Sequence, residues 1–483
     1  MMCRSAKTVF FIVLGLSLTL FFFRLGDRSF RNPDEGRYAE IAKEMVQSGN
    51  WVQPRLYGVN YLRKPVLFYW LVAASFKVFG FSEFAARLVP ALFGIFGVLA
   101  TFFFTRRVFD LKTAFYAALI LVTNVLYLGI GRYLLIDSVF SFFLMSALYL
   151  FYLAVNEEKN KTRNYLLFYV SLSLSFLTKG PAAVAIMGLA GASYVLVAKK
   201  WKAVLFEMQL IPGLLVFAGI VVPWFYQISL RQPDFLNFFF LHEHIERFVS
   251  QHFEHQEEWY YYFVLTPLIF IPWIFFPKLK TAINKNSVEL FLLIASAAVV
   301  LFYSLSRSKL ATYVLPSLPF ISVWIARCWV LSETKTLGDR VGRVFASVVV
   351  ALCVVCLSIS FAMEKVNPDY TTKPFAEFLK PELEKNDTVF IYDHPGALYD
   401  FRYYLNFPVK LVGLEGELEL FRSDLNAKEV SVTKEAFEVI LKSGKRVFCL
   451  MRKSDYEGLD AAVRARLSLI KEDNRKVLVV SRS

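Results

Sequence analysis

Long apolar runs divided by short polar segments fill the chain up to residue 363, and beyond it hydrophobic and polar positions alternate at shorter range. A bilayer core asks for about 20 apolar residues in a helix, with roughly 17 to 25 tolerated. By that measure the candidate spans are 8–23, 86–105, 114–130, 138–155, 165–178, 181–198, 204–227, 260–276, 288–305, 310–330 and 344–363. The pattern predicts an α-helical polytopic membrane protein with about 11 to 13 transmembrane helices. Val66 to Phe81 is apolar as well but contains Lys77, and counting it as a span by itself would reverse every later loop. It reads as a helix lying in the interface, or as half of a re-entrant pair. After Met363, strands are expected at 388–392, 409–412, 446–451 and 476–480, alternating with helical segments at 374–383, 434–441 and 456–467. Such alternation predicts a small C-terminal α/β domain.

Composition agrees: of 483 residues 56% are hydrophobic and 17% aromatic, with a mean hydropathy of +0.47. The net charge of +14 raises the question of nucleic acid, but Lys and Arg stand in short clusters between apolar runs. The orientation rule for cytoplasmic loops explains them, and no nucleic-acid partner is expected. Cys3, Cys328, Cys353, Cys356 and Cys449 make no disulfide framework. The first apolar run follows Arg4 and Lys7 and lacks a small-residue cleavage site after it, which suits a retained signal anchor.

Charge also sets the topology. With a cytoplasmic N-terminus, the inner loops hold Arg106, Arg107 and Lys112, then Lys159, Lys161 and Arg163, then Lys199, Lys200 and Lys202. Lys278, Lys280 and Lys285, and then Lys335, Arg340 and Arg343, continue the alternation. The segments 24–85, 131–137, the Lys179 turn, 228–259, 306–309 and the tail then all face outward. The expected division is a transmembrane domain, 1–363, with outer-face loops at 24–85 and 228–259, and an extracytoplasmic α/β domain, 364–483. No glycine-rich nucleotide loop occurs in the tail, which suits a lid or recognition role.

The chemically useful side chains fall on that outer side. Asp34 and Glu35 follow Pro33 at a predicted helix start, where carboxylates complement the dipole; Asp34 suits a cap, or a base whose pKa is raised by limited hydration at the membrane surface. Arg63 and Lys64 precede an apolar stretch, as headgroup-snorkelling cations also do. Lys179, in Thr178-Lys179-Gly180-Pro181, runs against the charge bias and calls for an anionic partner. Asp137 is costly near lipid unless it pairs, with Arg132 or Lys179 as the available cations. His242, His244, His252 and His255 crowd one outer loop in a spacing that matches no closed four-ligand zinc motif; an interfacial polar segment beside the aromatic belt of Trp259 to Tyr262 is the plainer reading.

Asp34-Glu35-x-Arg37-Tyr38-Ala39-Glu40-Ile41, Lys64-Pro65 before an aromatic run, Asp137, Thr178-Lys179-Gly180-Pro181, Glu243-His244-Ile245-x-Arg247-Phe248 and Lys309-Leu310-x-x-Tyr313-x-Leu315-Pro316 occur in this order. Over roughly residues 8 to 330 the chain resembles the polytopic GT-C transferases that carry aminoarabinose to lipid A, relatives of the protein O-mannosyltransferases. The resemblance implies a membrane-embedded glycosyltransferase of the cell inner membrane, fed by a polyprenyl-phosphate sugar donor, with lipid A or another envelope acceptor. It implies Asp34 as catalytic carboxylate, Asp137 as a second acid, and Lys64, Arg247 and Tyr313 as groups on the donor phosphate. Glu35, Arg37, Tyr38, Arg63, Lys179, His244 and Lys309 are the expected remainder of the substrate cavity. Aminoarabinose transferases tend to carry Glu where this chain has Arg63, and that Glu is implicated in a structural zinc site; Arg63 cannot ligate zinc, so no metal ligands and no cofactor are assigned, with a zinc or other divalent ion left open. Protein O-mannosylation and, in a different class, transport or flipping of a lipid-linked sugar are the competing readings. Charges gathered at one face and the lack of a visible internal repeat speak against the transporter.

Overall fold

The computed structural model describes residues 5–246, 256–275, 288–332, 338–393, 395–413 and 429–482. By contact they form two units. The first comprises 1–23, 63–68 and 87–359, and the second 24–62, 69–86 and 360–483. The long first outer loop thus belongs with the tail.

The first unit is helical. Six helices are long and apolar enough to cross a membrane: Glu83–Val108, Asp137–Asn156, Leu210–Arg231, Val288–Leu305, Ala311–Ser332 and Gly342–Ala362, or up to seven with one bent pair. Ala6–Phe22, Leu67–Phe79 and Ala182–Val197 are shorter apolar helices, and they account for part of the distance to the expected 11 to 13. The Asp137 helix is the centre, with 78% of its apolar window buried, against 28% for the Leu210–Arg231 helix. Leu214, Leu215, Val222 and Leu230 on the latter are exposed, a continuous apolar skin that only lipid or protein can cover. The protein is a multi-pass membrane protein.

Several expected spans depart from plain helices: 204–227 straddles the break between Trp201–Glu207 and Leu210–Arg231, and 310–330 opens with the 3-10 turns of Ala311–Ser317. The run 114–130 is the bent pair, Leu111–Val122 and Val125–Gly131, meeting at 65°. Thr123 Oγ1 donates to Leu119 O at 2.7 Å, and Asn124 Oδ1 accepts from Tyr127 N at 3.0 Å, so one helix is closed and the next capped at the break. The run 260–276 is helical over Tyr261–Leu268 only and continues as turns to Phe275. Pro267 and Pro272 withhold backbone donors from a continuing helix. Within the apolar run Val66 to Phe81 a helix forms over Leu67–Phe79.

In the second unit, Arg55–Leu56 pairs antiparallel with Val59–Asn60 through Tyr57 and Gly58, both at positive φ, as a two-residue hairpin turn requires. The tail carries a six-stranded sheet in the order Ser431–Val432, Val409–Val412, Thr388–Tyr392, Val447–Arg452, Lys476–Ser481, Leu467–Glu472. The first three pairings are parallel and the last two antiparallel. Two strands match the expected bounds residue for residue, whereas Leu467–Glu472 and Ser431–Val432 were not expected. The helical run expected at 456–467 divides into Lys453–Glu457 and Ala461–Arg464 and gives Leu467 to the edge strand. Phe390, Phe437, Leu441, Met451 and Val479 pack around Cys449, which serves there as a small apolar side chain.

Candidate active site

Two groups of charged side chains emerge, one in each unit.

In the first unit, a cavity of about 320 Å³ is lined by Lys64, Lys179, His244, Tyr303, Tyr313 and Ser306, with apolar walls from Pro181, Ala185, Ile245 and Phe302. Lys179 ends the helix Lys161–Lys179, and Asp137 opens the helix Asp137–Asn156 packed against it. Their ion pair, Lys179 Nζ to Asp137 Oδ1, is 2.7 Å long, with side chains 11% and 10% exposed. The ammonium also sits 4.3 Å from the centre of the Tyr313 ring, on the π face that attracts a cation. Lys179 is therefore the partner of Asp137. Arg132, the other candidate, donates to Leu20 O and, at 2.6 Å, to Phe23 O, closing the end of the helix Ala6–Phe22.

Gly180 allows this turn. Its φ is +79°, and a Cβ there would lie 2.8 Å from His244 Nε2. His244 Nδ1 stands 2.6 Å from Phe239 O, and Nε2 3.3 Å from Lys179 O. Burial, followed by the Lys64 charge, lowers the imidazole's pKa, so the ring is neutral and donates to one of these carbonyls at a time. Tyr303 packs on Tyr313 with ring centres 4.8 Å apart, and its buried hydroxyl has no hydrogen-bond partner among the described residues.

Lys64 Nζ donates to Glu243 Oε1 at 2.8 Å, and Arg63 Nε lies 4.0 Å from Glu243 Oε2. Glu243 is 3% exposed and belongs to the π-helical turn Phe238–Glu246. Sequence reasoning quoted Glu243 within a motif but gave it no role. A lone acid in the run Phe238-Phe239-Phe240-Leu241-His242-Glu243 is the signal that could have found it, since a buried carboxylate needs a cation. Lys309 is buried too, but it donates to Ser306 O at 2.6 Å and Glu257 O at 2.8 Å and does not line the cavity. It clamps the loop that presents Ser306 and Ser308. Arg247, His252 and His255 lie outside the described residues. His242 faces Glu246 at 2.6 Å, and among the described residues no three His, Cys, Asp or Glu side chains gather as a metal would need.

In the second unit, the helix Asp34–Ser48 starts directly after Pro33, as expected, without a side-chain cap. Asp34 is 48% exposed and ion-paired with Arg37 one turn on, so the unit itself does not supply the dehydrated setting expected for it. Glu35 is buried, 3.3 Å from Arg28 Nη2, and accepts from Arg31 N at 3.0 Å. The Arg37 guanidinium lies 5.2 Å from the Tyr38 ring, and Tyr38 is buried against Tyr69. Further along, Glu40 and Glu44 face Arg402 at 3.4 and 3.6 Å. Burial pushes Glu40 up to about 7, against the opposing pull of Arg402.

Residues 9–239 match the family model described as dolichyl-phosphate-mannose-protein mannosyltransferase. An undecaprenyl phosphate-α-4-amino-4-deoxy-L-arabinose arabinosyl transferase of Aeromonas hydrophila is 32% identical over 356 residues, 70% of this chain and 64% of that protein. A transferase of the same name from Yersinia enterocolitica is 34% identical over 65% of this chain and 58% of its own length. In sequence the chain is thus similar both to aminoarabinose transferases and to protein mannosyltransferases. It spans just under two thirds of these curated relatives. The crystal structure of ArnT from Cupriavidus metallidurans bound to undecaprenyl phosphate superposes with a TM-score of 0.87 over 99% of this chain and 98% of that one, at 24% identity. The archaeal oligosaccharyltransferase AglB of Archaeoglobus fulgidus follows at 0.54 over 92% and 69%, at 12% identity. The GT-C fold accordingly covers nearly the whole chain, tail included.

Proposed function

We propose that this protein is a glycosyltransferase of the cell inner membrane that moves a sugar from a polyprenyl phosphate to lipid A or another envelope acceptor, with its N-terminus cytoplasmic and its tail outside. The observation that carries the reading is the cavity where Lys64, the Lys179–Asp137 pair and the Tyr303 and Tyr313 phenols meet apolar walls. A lipid phosphodiester is anionic and carries a hydrocarbon tail, so it needs cations and hydroxyl donors set beside apolar surface. The aminoarabinose transferases named above are named for an undecaprenyl-phosphate sugar, which agrees with that chemistry.

In the proposed reaction the bond from the anomeric carbon to the phosphate oxygen breaks, and its electron pair leaves with the polyprenyl phosphate. The acceptor oxygen forms the new bond at that carbon. Lys64, Tyr313 and Arg247 take up charge on the departing phosphate, with the Tyr303 hydroxyl as a further donor. Asp34 receives the proton of a hydroxyl acceptor; a phosphate acceptor brings none, and Asp34 then steadies positive charge at the anomeric carbon. Asp137 holds Lys179 in place. No cofactor is assigned a step.

Two measurements test the reading. Purified full-length chain, given radiolabelled polyprenyl-phosphate sugar and envelope lipid, should yield labelled lipid, and Asp34→Asn should abolish it; near-normal product from that variant removes Asp34 from catalysis. Envelope-lipid mass spectra of a deletion strain and its parent should differ by one sugar. Label found instead on Ser or Thr of secreted protein assigns the chain to protein glycosylation, and donor moved across a vesicle without a new glycosidic bond makes it a flippase.

A further inference from the structure

One carboxylate of the tail reaches the segment that carries Asp34. Asp400 is fully buried. It accepts from Thr371 Oγ1 at 2.7 Å, from Thr372 N at 2.9 Å and from Thr372 Oγ1 at 2.7 Å, and it accepts from Asn32 Nδ2. Its own backbone N donates to Asn32 Oδ1 at 3.2 Å, while Asn32 N donates to Tyr370 O at 3.0 Å. Asn32 is thus bound at its backbone and at both ends of its amide, two residues before Asp34. The fit is close: a Cβ on Gly36 would run into Asn32 Oδ1 and lie 2.7 Å from Asp400 N. Farther along the same helix, Lys43 Nζ donates to Tyr403 O at 2.7 Å, and Arg402 meets Glu40 and Glu44.

We infer that Asp400 is a positioning residue: through Asn32 it fixes the start of the helix Asp34–Ser48, and with it the direction in which the Asp34 carboxylate is presented. The inference rests on the proposed reading of Asp34 as the catalytic carboxylate. A buried carboxylate with this many donors leaves its partners unsatisfied when its charge is removed. In Asp400→Asn one carboxylate oxygen becomes an NH2, set either against Asn32 Nδ2 and Thr372 Oγ1 or against Thr371 Oγ1 and Thr372 N, so two donors lose their acceptor and the segment 30–38 loosens while the sheet stays folded. Catalytic rates respond steeply to such displacement, on the order of a hundredfold for about 1 Å. Donor binding draws on Lys64 and Tyr313 and is not expected to change.

The test uses the full-length protein in nanodiscs and measures kcat and donor KM for wild type, Asp34→Asn, Asp400→Asn, Asn32→Ala and Lys434→Ala. Lys434→Ala removes the half-exposed partner of the buried Asp393 in the tail and leaves the hub untouched. Hydrogen exchange reports order at residues 30–38 and in the strands Thr388–Tyr392 and Val447–Arg452. The expected result is a kcat at least tenfold lower in Asp400→Asn with KM unchanged, faster exchange confined to 30–38, and Lys434→Ala at the wild-type rate. Asn32→Ala should share the phenotype in milder form, and it decides the matter should Asp400→Asn fail to fold. Wild-type kcat with a loosened segment, or an unloosened segment, overturns the inference while Asp34 stands. Activity surviving in Asp34→Asn removes the carboxylate being positioned, and the inference with it.

Discussion

Replacing Asp137 with Asn strands the Lys179 ammonium where its side chain is only 11% exposed, 2.7 Å from the position the carboxylate held. Removing one member of a buried ion pair costs about 3 to 5 kcal/mol, because the remaining charge is neither solvated nor paired. The Tyr313 ring, 4.3 Å from the ammonium, offsets about 1 to 2 kcal/mol of that. A net loss of about 1 to 4 kcal/mol is therefore expected for Asp137→Asn. Lys179→Met in the same background removes the stranded charge, and the double variant should regain at least half of the loss. Denaturant unfolding of the four proteins in one detergent, treated as a double-mutant cycle, reads the coupling directly. Additive losses would refute the pairing argument. Transfer assays on the same set separate structure from chemistry: the double variant should recover stability while remaining impaired in donor turnover, since the cavity has lost its ammonium.

Other consequences follow from the geometry. Glu40 has a folded pKa of about 7 against an ordinary value of 4.5, so its protonated form is favoured in the fold and its contribution is lost as pH rises from about 4.5 through 7. The second unit should lose up to about 3 kcal/mol over that window, and Glu40→Gln should flatten the dependence. Equal unfolding midpoints at pH 5 and 8 for wild type would contradict this. Gly180→Ala places a side chain at a positive φ and against the His244 ring, and should cost about 1 to 3 kcal/mol and disturb the Lys179 turn; an unchanged unfolding curve counts against that fit. Tyr303→Phe removes a buried hydroxyl that has no hydrogen-bond partner among the described residues, so it should leave stability unchanged or raise it by about 1 kcal/mol while raising donor KM severalfold. An unchanged KM would detach Tyr303 from the phosphate.

The charge pattern alone made the membrane class and the need for a Lys179 partner legible, because a lysine opposing the orientation rule has few physical explanations. Short strands such as Val409–Val412 could be bounded because Pro408 and Gly413 punctuate the run on either side. The edge strand Leu467–Glu472 was hidden by a helical stretch running into it, and its register with Lys476–Ser481 is itself irregular. The break at Thr123 and Asn124 was missed because both residues sit inside an apolar run long enough for one straight span. Asn32 and Asp400 stand 368 positions apart, so nothing local in either stretch announces the other. Glu243 fell between these cases, an obvious charge whose partners, Arg63 and Lys64, read from sequence as cations facing substrate or lipid headgroups.

That last pairing changes how entry into the cavity is to be pictured. If Lys64 takes the donor phosphate as proposed, that phosphate does not find a bare cation; it displaces a resident carboxylate, Glu243. Affinity then measures the difference between two anions competing for one ammonium, and the returning glutamate helps push the spent lipid phosphate out. A cavity wired in this way is built for exchange, trading tight retention for quick clearance of its product.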